Sequence, residues 1–435
     1  MSTIAAHTLG CKVNQYDTQA MVELFVKEGY EYVSMDREAD IYLINTCTVT
    51  GTGDKKSFQL IRRLRREHPD AVLIVCGCLA QWRGSDLLSA GADLVLGTQR
   101  RSEVVSLCRQ MMESGSPMCA VSPFSGRQPY EPLCVSTQNG HTRAVLKIQE
   151  GCNNHCSYCI IPSVRGPIRS RQISDIVNEV IRLRDAGFCE IVLTGIHLCS
   201  YGKDLEQRPS LLDVIRQIQK IEGILRIRLG SLEPVVATES FASALKENDK
   251  ICPQFHLALQ SGSDSVLARM KRRYNTEQYE QGVQNLRRVF PKAAFTTDIL
   301  TGFPGETEEE FRQTTDFVRK IGFARIHVFP FSPRPDTPAA SMGGQLSSAV
   351  REQRTRQLIR LGRWMTEEYE KTWVGEETVL LPEEQADGCW EGYTPEYIRV
   401  RMVPDSECRP GTPVRIRLNR VENCVMRGEI IKERK

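Results

Sequence analysis

The chain has 435 residues, with 57 lysines and arginines against 54 aspartates and glutamates, and a formal net charge of +3. It is too long for one ordinary core, so we expect two or three domains, and its charge is too nearly balanced to indicate nucleic-acid binding by itself. The 16 cysteines are irregularly placed, with no signal peptide and no long apolar span. These features disfavour a secreted disulfide scaffold or a membrane protein, and we expect a cytoplasmic protein with reduced thiols.

The first part of the chain alternates apolar runs with helical patterns. The predicted strands are 4–9, 41–45, 71–76 and 94–96, and the predicted helices are 16–28 and 55–67. Buried runs that alternate with helices are typical of a parallel sheet in an α/β domain. The pattern is lost between residues 122 and 141, where proline, glycine, serine and glutamine are frequent. We therefore place an N-terminal domain at 1–125 and a linker at 126–141.

A second alternation follows the linker. The predicted strands lie near 144–149, 190–195, 225–231, 254–260, 294–300 and 325–330, with intervening helices that include 173–186, 211–221 and 307–321. Six βα repeats fit an open, partial (β/α)6 barrel with its active site at the C-terminal ends of the strands. A polar helix at 348–372 ends this domain, which spans 142–372. The short β-rich runs of 373–435 predict a small all-β domain resembling an OB barrel or a sandwich.

Three cysteines directly follow the first barrel strand. Cys152, Cys156 and Cys159 have a C-x3-C-x2-C spacing, with no fourth cysteine nearby in the sequence. Three thiolates can hold a [4Fe-4S] cubane and leave one iron open for an exogenous ligand. A zinc site or unrelated surface cysteines are the alternatives, but structural zinc normally takes four protein ligands.

This spacing resembles the signature of the radical S-adenosylmethionine enzymes, in which S-adenosylmethionine binds the open iron. The resemblance implies that Tyr158 lies against the adenine of that cofactor, although simple packing explains this ring equally well. Polar or glycine positions recur at the ends of the later strands, as a barrel site requires. The positions that the resemblance assigns to the cofactor are Thr194, Gly195, Ser231, Glu233, Gln260, Asp298 and Gly302.

A second set of cysteines follows strands of the N-terminal domain. Cys11, Cys47 and Cys78 each come after a predicted strand. Cysteines at the ends of parallel strands can converge and hold a second cubane, but spacing alone favours this equally with scattered core thiols. Cys76 serves as a comparison within the same segment, because the alternation of side chains along a strand points Cys76 away from the loop position of Cys78.

Together these features resemble the methylthiotransferases, a radical S-adenosylmethionine family with an N-terminal domain of this type, a central barrel and a C-terminal TRAM domain that binds RNA. Both cysteine triplets match, as do residues 302–307 and 332–338. Residues 8–16 (TLGCKVNQY) and 146–151 (LKIQEG) are most similar to the branch that modifies threonylcarbamoyladenosine in tRNA. The isopentenyladenosine branch usually has Gln-Met-Asn after its first cysteine, and the branch acting on a ribosomal protein has Pro-Lys-Asn.

The resemblance implies a reaction and its participants. Two [4Fe-4S] clusters and S-adenosylmethionine would serve to insert a methylthio group at C2 of N6-threonylcarbamoyladenosine 37. The implied partners are the tRNA anticodon loop, an external one-electron reductant and a sulfur donor, with no membrane. Methylthiolation of N6-isopentenyladenosine 37 is the alternative reaction. An iron-sulfur RNA-binding or sensory protein without turnover is the non-enzymatic alternative.

Arginines and aromatic residues are candidate RNA contacts. Arg165, Arg169 and Arg171 follow the barrel cysteines and could meet phosphates, although solvated surface is the commoner role of such residues. Arg334 is a candidate for the threonyl carboxylate of the proposed substrate, because arginine binds carboxylates in a bidentate manner. In the C-terminal domain, Trp390 and Tyr393 could stack on bases or equally belong to the core.

Overall fold

The computed structural model describes residues 2–126, 128–138, 142–403 and 408–431. The first domain is a six-stranded parallel sheet with helices on both faces. Its strands are β1 (Thr3–Thr8), β2 (Glu31–Tyr32), β3 (Ile41–Thr46), β4 (Val72–Gly77), β5 (Leu94–Val95) and β6 (Met118–Cys119), in the order β2-β1-β3-β4-β5-β6. Its helices are α1 (Lys12–Lys27), α2 (Gly51–Glu67), α3 (Cys78–Ser89) and α4 (Val104–Ser114).

Alternation along the strands builds two apolar layers in this domain. Leu43 of β3 packs with α1 and α4, whereas Ile44 packs on the other face with α2 and α3. Helix α1 begins four residues before its predicted start, because Cys11 is extended and Lys12 already lies in the helix. Helix α2 also begins four residues early, where the Thr50 side chain accepts a hydrogen bond from the Gly53 amide.

The segment after β6 has neither helix nor strand among its described residues, yet it is packed. Leu133 and Val135 are buried in the core of the second domain, and the Tyr130 hydroxyl donates a hydrogen bond to the Lys147 carbonyl at 2.9 Å. The predicted linker is therefore a strap along the barrel. Residues 127 and 139–141 of it lie outside the described residues.

The second domain has the six parallel strands that the sequence predicts, in two bridged sheets. One sheet contains β7 (Ala144–Glu150), β8 (Arg169–Ser170), β9 (Glu190–Gly195) and β10 (Arg226–Leu229), with only β8 antiparallel. The other contains β11 (Gln254–His256), β12 (Ala294–Thr301) and β13 (Arg325–Pro330). Isolated parallel bridges from Ile227 to Ile251 and from Leu232 to Leu257 join the two sheets. This is the predicted partial barrel.

Helices cover the outside of the barrel. They are α6 (Ile173–Asp185), α7 (Leu211–Gln219), α8 (Glu239–Lys246), α9 (Asp264–Arg269), α10 (Thr276–Val289), α11 (Glu308–Ile321) and α12 (Ser348–Lys371), whereas the short helix α5 (Ile161–Arg165) packs against α3 of the first domain. Side chains that point outward, such as Phe255 and Phe295, form the main core with these helices. Alternate side chains point inward and are polar, among them His256, Asp298 and His327. Because the partial barrel is open beside β13, its inner face lines a cleft.

The C-terminal domain is a closed five-stranded barrel, as expected for an OB-like fold. Its strands are β14 (Glu377–Ala386), β15 (Cys389–Tyr393), β16 (Arg399–Met402), β17 (Val414–Glu422) and β18 (Val425–Ile430), in the order β14-β15-β16-β18-β17. Strand β15 was not predicted, although the Asp387-Gly388 turn before it, with both φ angles positive, is a strong hairpin signal. Across the described ranges, no helix is both long and apolar enough to cross a bilayer.

Candidate active site

The register of the first sheet brings the second cysteine triplet together. Thr46 of β3 pairs with Gly77 of β4, so Cys47 and Cys78 leave neighbouring strands at the same level. Cys11 leaves the adjacent strand β1 at the same edge of the sheet. Carboxyl ends of parallel strands form the usual site edge in such sheets. The predicted convergence of these three positions therefore rests on strand order and register.

Two glycines allow this close approach. Gly10 has a φ of 111°, and a Cβ atom there would lie 2.8 Å from the Cβ of Cys47. Gly77 has a φ of 96°, and a Cβ atom there would lie 2.4 Å from the Thr46 carbonyl oxygen. Both positions need glycine for their backbone conformation and for their space.

The thiols of this triplet influence one another electrostatically. Burial raises the pKa of Cys47 to about 12, and Cys78 and Cys11 contribute to the increase. Cys76, by contrast, points into the apolar layer and lies 3.7 Å from the Ile44 carbonyl oxygen. Buried thiols that resist ionisation become thiolates when a soft metal binds them.

Arg165 connects this triplet to the barrel. Its Nε atom donates a hydrogen bond to the Cys78 Sγ atom at 3.2 Å, and its Nη2 atom contacts the Asn14 side chain. Arg165 belongs to α5, which begins two residues after Cys159. The short helix that follows the barrel cysteines therefore places a guanidinium group on a thiol of the other triplet.

A buried ion network surrounds Arg165. Asp17 of α1 pairs with Arg101 and Lys147, and Glu150 pairs with Arg165 at 3.0 Å. Burial opposes ionisation of Glu150, but Arg165, Lys147 and Arg101 hold its pKa well below the ordinary value. The network spans the two domains, and losing one member would leave an uncompensated buried charge. It fixes how the two cysteine triplets face each other.

The barrel triplet is also held by hydrogen bonds to sulfur. The Asn154 amide donates to the Cys152 Sγ atom at 3.4 Å, and the Arg272 Nη1 atom donates to the Cys156 Sγ atom at 3.1 Å. Burial raises the pKa of Cys159 to about 12, with Cys156 and Cys152 contributing. Donors and a guanidinium group aimed at sulfur suit thiolate ligands.

A polar cluster centred on Glu233 lies beside these cysteines. Its carboxylate accepts hydrogen bonds from Arg272 at 2.8 Å and from Asn154 at 3.2 Å, and lies 3.1 Å from His197 Nε2. Sequence reasoning identified Glu233 but missed the roles of the other three. Their signal was present, because Asn154 lies within the cysteine loop and His197 closely follows the end of β9.

The other predicted cofactor positions differ in where they lie in the barrel and in how far their polar groups are already hydrogen-bonded. Thr194 and Gly195 end β9, Ser231 is exposed after β10, and Asp298 lies on the inner face of β12. Gln260 has a φ of 68°, and its backbone pairs with Asp298 and Leu300. The Gly302 amide donates to Glu306 at 3.0 Å, so this amide is already satisfied within the protein.

A cavity of about 660 Å³ lies between the first domain and the barrel. Both triplets contribute to its wall. Cys11, Cys47 and Cys78 line it together with Tyr158 and Cys159, and the inward-facing Asp298, Phe329 and the exposed Lys56 complete it. The two cysteine sets therefore open on one space large enough for a small ligand and part of a second one.

The structure corrects the predicted arginine contacts. Arg165, Arg169 and Arg171 are only 0%, 4% and 5% exposed. Arg171 pairs with Glu179 at 2.6 Å, and Arg169 donates to the Arg165 carbonyl at 3.0 Å. These three arginines are covered by the domain interface, so they hold the domains together and are not accessible to phosphates.

Arg334 is likewise already occupied by a carboxylate of the protein. It pairs with Asp54 and donates a hydrogen bond to the Thr48 hydroxyl at 2.9 Å. Trp390 is buried in the core of the C-terminal barrel. Tyr393 stacks on Tyr397 with ring centroids 4.8 Å apart. Of the two proposed aromatic contacts, only Tyr393 is partly exposed.

Both triplets fit three-thiolate ligation of a cluster. Within the described part of the chain, no three histidine, cysteine, aspartate or glutamate side chains are gathered as around a single metal ion. A cubane binds each thiolate through a different iron and so spreads its ligands further than one ion does. Cys47, Cys78 and Cys156 are buried, each triplet has a hydrogen-bond donor aimed at sulfur, and both triplets open on one cavity. These are features that such a group needs.

Comparison with protein families supports this description. A family model described as "Uncharacterized protein family UPF0004" matches residues 3–97, and one described as "Radical SAM superfamily" matches residues 146–318. The radical S-adenosylmethionine match covers the barrel from β7 to most of α11, including the three cysteines, and ends before β13. It implies one [4Fe-4S] cluster and S-adenosylmethionine as cofactors.

Similar proteins match almost the whole chain. Threonylcarbamoyladenosine tRNA methylthiotransferase MtaB of Bacillus subtilis (strain 168) is 42% identical, over 92% of this chain and 90% of that protein. The Thermotoga maritima protein of the same name is 36% identical, over 93% and 92%. A tRNA-2-methylthio-N(6)-dimethylallyladenosine synthase of Pelotomaculum thermopropionicum is 35% identical, over 87% and 86%.

A solved structure shares the fold at low sequence identity. The radical S-adenosylmethionine methyltransferase TsrM of Kitasatospora setae superimposes with a TM-score of 0.58 and 16% identity, covering 78% of this chain and 75% of that one. This likeness shows a shared fold and says nothing about the substrate.

Proposed function

The chain belongs to the radical S-adenosylmethionine methylthiotransferases, and we propose that it converts N6-threonylcarbamoyladenosine 37 of tRNA to the 2-methylthio derivative. The relatives of highest identity named above carry threonylcarbamoyladenosine in their names. The observation that carries the proposal is the shared cavity, where Cys11, Cys47 and Cys78 face Cys159. Joining sulfur to an unactivated carbon requires the group that activates the carbon and the group that donates sulfur to meet at one atom.

In this proposal each triplet holds one [4Fe-4S] cluster. Cys152, Cys156 and Cys159 would hold the cluster that the family implies, and Cys11, Cys47 and Cys78 would hold a second. When bound, the first cluster and S-adenosylmethionine supply a 5′-deoxyadenosyl radical that can remove hydrogen from C2 of the base.

The protein itself positions groups and limits access. Arg272 contacts both Cys156 and Glu233, so it sets the orientation of the cysteine loop against the end of the barrel. Tyr158 packs beside Met270 and Phe303 and gives the cavity an apolar wall next to Cys159. A wall of this kind excludes water and other quenchers of a reactive intermediate.

Binding of tRNA requires exposed cations. Because Arg165, Arg169 and Arg171 are buried, helix α2 is the proposed source of these cations. Lys55, Arg62 and Arg66 are exposed on this helix, and Arg62 lies over the Phe58 ring at 5.8 Å. Such a face can meet phosphates, and an aromatic ring beside it can receive an unstacked base. The proposal also requires an external one-electron reductant and a sulfur donor, and it places the reaction in the cytoplasm with its tRNA.

Mass spectrometry of tRNA nucleosides tests the proposal. A strain lacking the gene should lose 2-methylthio-N6-threonylcarbamoyladenosine, and the intact gene should restore it. Cys156→Ala should fail to restore it, whereas Cys119→Ala should succeed, because Cys119 is an exposed cysteine outside both triplets. Loss of the isopentenyl analogue instead would favour the second substrate. The synthase relatives are named for N(6)-dimethylallyladenosine, which carries the same five-carbon group on N6.

The non-enzymatic alternative has its own test. Purified, reconstituted protein should form 5′-deoxyadenosine from S-adenosylmethionine under anaerobic, reducing conditions, and Cys156→Ala should not. Absence of this product from wild-type protein with a full cluster content would favour an RNA-binding or sensory role.

A further inference from the structure

The cavity that both cysteine triplets line has few charged side chains in its wall. Apart from its cysteines and Tyr158, the described residues of this wall that can carry charge are Lys56, Arg165 and Asp298. The rest of the wall is neutral and largely apolar, with isoleucine, leucine, phenylalanine and proline side chains. A charged group that enters this space therefore finds few possible partners, and only a partner that is not already engaged within the protein can bind it.

Two of these three charged groups have partners in the protein. Arg165 is fully buried and pairs with Glu150 at 3.0 Å. On the inner face of the barrel, Asp298 lies 3.4 Å from the Nε2 atom of His256. Lys56, by contrast, is exposed and makes no hydrogen bond or salt bridge with any described residue. Lys56 is therefore the cation of this cavity wall that is available to a ligand.

The first two turns of α2 place Lys56 at the cavity. Thr52, Gly53 and Lys56 all line it. Residues four apart share one face of a helix, and a helical side chain leans toward the N-terminus of its helix, so Lys56 extends over the turn that contains Thr52. This turn packs against the second triplet, because a Cβ atom at Gly53 would lie 3.5 Å from the Cys47 carbonyl oxygen.

The neighbouring lysine of α2 belongs to a different surface. Lys55 lines a groove between α2 and α3, together with Phe58 and Arg62, which lie three and seven residues further along the helix. Both lysines are exposed, but of the two only Lys56 lines the cavity of the triplets. Lys55 therefore provides a comparison that has the same charge and the same helix but faces another way.

We propose that Lys56 binds the carboxylate of the threonylcarbamoyl group of the substrate, an inference that rests on the proposed function. In N6-threonylcarbamoyladenosine the carboxylate is attached through N6, and the C2 atom that reacts lies on the same six-membered ring. Lys56 attracts this carboxylate to the α2 wall of the cavity, whereas Asp298 on the barrel wall repels it. The attached ring then lies in the space that both triplets line.

This assignment replaces Arg334 as the residue that recognises the carboxylate. Arg334 is buried and paired with Asp54, whereas Lys56 is unpaired and accessible. A charge-assisted hydrogen bond in a partly desolvated site is stronger than the same contact in water. Lys56 would therefore select the threonylcarbamoyl base against a base whose N6 substituent has no charge, such as the isopentenyl base.

The test compares two anticodon stem-loop RNAs whose threonylcarbamoyl group at adenosine 37 ends in a carboxylate or in a neutral carboxamide. Binding to reconstituted wild-type enzyme, measured anaerobically by fluorescence anisotropy, should favour the carboxylate RNA by roughly tenfold or more. Lys56→Gln should lose this preference, and Lys56→Arg should retain most of it. Lys55→Gln is the matched control, because it removes the same charge outside the cavity and should change the affinity for both RNAs equally.

Three results would overturn the assignment. Equal weakening of both RNAs by Lys56→Gln, at an iron content equal to wild type, would show that Lys56 binds a phosphate. Reduced formation of 5′-deoxyadenosine by this variant without RNA would assign Lys56 to S-adenosylmethionine. An unchanged preference in Lys56→Gln, or no preference in the wild-type enzyme, would show that Lys56 does not recognise the carboxylate. Formation of 2-methylthio-N6-threonylcarbamoyladenosine by the wild-type enzyme is measured separately, so failure of the proposed function is distinguished from failure of the Lys56 assignment.

Discussion

The Nε atom of Arg165 lies 3.2 Å from the Sγ atom of Cys78, although the two residues belong to different domains. Arg165 ends the short helix α5 that follows the barrel cysteines, and Cys78 begins α3 of the first domain. A rotation of one domain against the other would break this contact together with the buried pair between Arg165 and Asp17 of α1. The contact thus couples the geometry of the two cysteine triplets.

Replacing Arg165 should mainly affect the second triplet. The experiment uses a Cys156→Ala background, which removes a ligand from the barrel triplet. In this background, Arg165→Gln should lower the amount of iron bound after reconstitution and shift the reduction potential of the remaining second cluster. Both effects are expected because a cationic hydrogen-bond donor to Cys78 is lost. Iron analysis and an EPR-monitored redox titration measure both effects. Arg169→Gln is the control, since Arg169 is also a buried arginine but donates to the Arg165 carbonyl. Identical iron content and potential in both variants would refute the coupling.

Gly77 should be indispensable for the same triplet. Alanine there would take a φ of 96° with its Cβ 2.4 Å from the Thr46 carbonyl oxygen, so β4 or Cys78 must move. We expect Gly77→Ala to abolish the absorbance of the second cluster. Gly115→Ala provides the comparison, because Gly115 has a φ of 62° with no atom within 4 Å of the added Cβ. It should cost only about 1 kcal/mol in the free energy of unfolding and keep the cluster.

Much of the fold could be predicted because its signals are local. Apolar runs of strand length, separated by amphipathic helices, place the strands of the barrel to within a few residues. The convergence of Cys11, Cys47 and Cys78 follows from a general property of parallel sheets, namely that strand ends share an edge. Strand order and register, which no local pattern contains, decide that Cys47 and Cys78 leave neighbouring strands.

The arginine roles could not be predicted for a related reason. A run of arginines after the barrel cysteines has the pattern of a solvated basic loop. Only the packing of α1 across the barrel brings Asp17 to Arg165, and only the segment before α12 brings Arg334 to Asp54. Long-range partners of charged residues leave no periodic trace in the sequence.

The Arg334–Asp54 pair should contribute to stability and leave the chemistry of S-adenosylmethionine unchanged. Arg334 is buried, so Arg334→Met would leave the Asp54 charge without its partner and lower the free energy of unfolding by roughly 3 kcal/mol. Arg312→Met, which breaks an exposed pair with Glu309, should cost less than about 1 kcal/mol. Urea denaturation of the two variants measures the difference. Equal destabilisation, or selective loss of 5′-deoxyadenosine formation in Arg334→Met, would contradict a purely structural role.

Arg272 should control the barrel triplet through geometry. Its two Nη atoms contact Cys156 and Glu233 at 3.1 and 2.8 Å, and a lysine can reach only one of these partners at a time. We expect Arg272→Lys to lower the rate of 5′-deoxyadenosine formation without RNA by about tenfold or more. Arg273→Lys, at an exposed neighbour, should have no effect. An unchanged rate in Arg272→Lys, at equal cluster content, would exclude this positioning role.

Glu370 of α12 should make stability depend on pH. It is 2% exposed, one of its oxygens has no hydrogen-bond partner among the described residues, and burial raises its pKa to about 7 against the opposing effect of Arg325. The folded protein holds this proton more tightly than the unfolded chain. Stability should therefore be greatest below the ordinary pKa of 4.5 and fall as the pH rises towards about 7.

Glu370→Gln replaces the titrating carboxyl group with a neutral amide, so it should flatten the dependence of stability on pH. Near pH 8 the free energy of unfolding should exceed that of wild type by roughly 1–3 kcal/mol. Denaturation midpoints of the metal-free protein between about pH 5 and pH 8 measure the slope. Glu367→Gln removes a half-exposed carboxylate from the same helix and should change the slope little. If Glu370→Gln keeps the slope of wild type, the decline with pH comes from other groups, and Glu370 is ionised in the folded protein despite its burial.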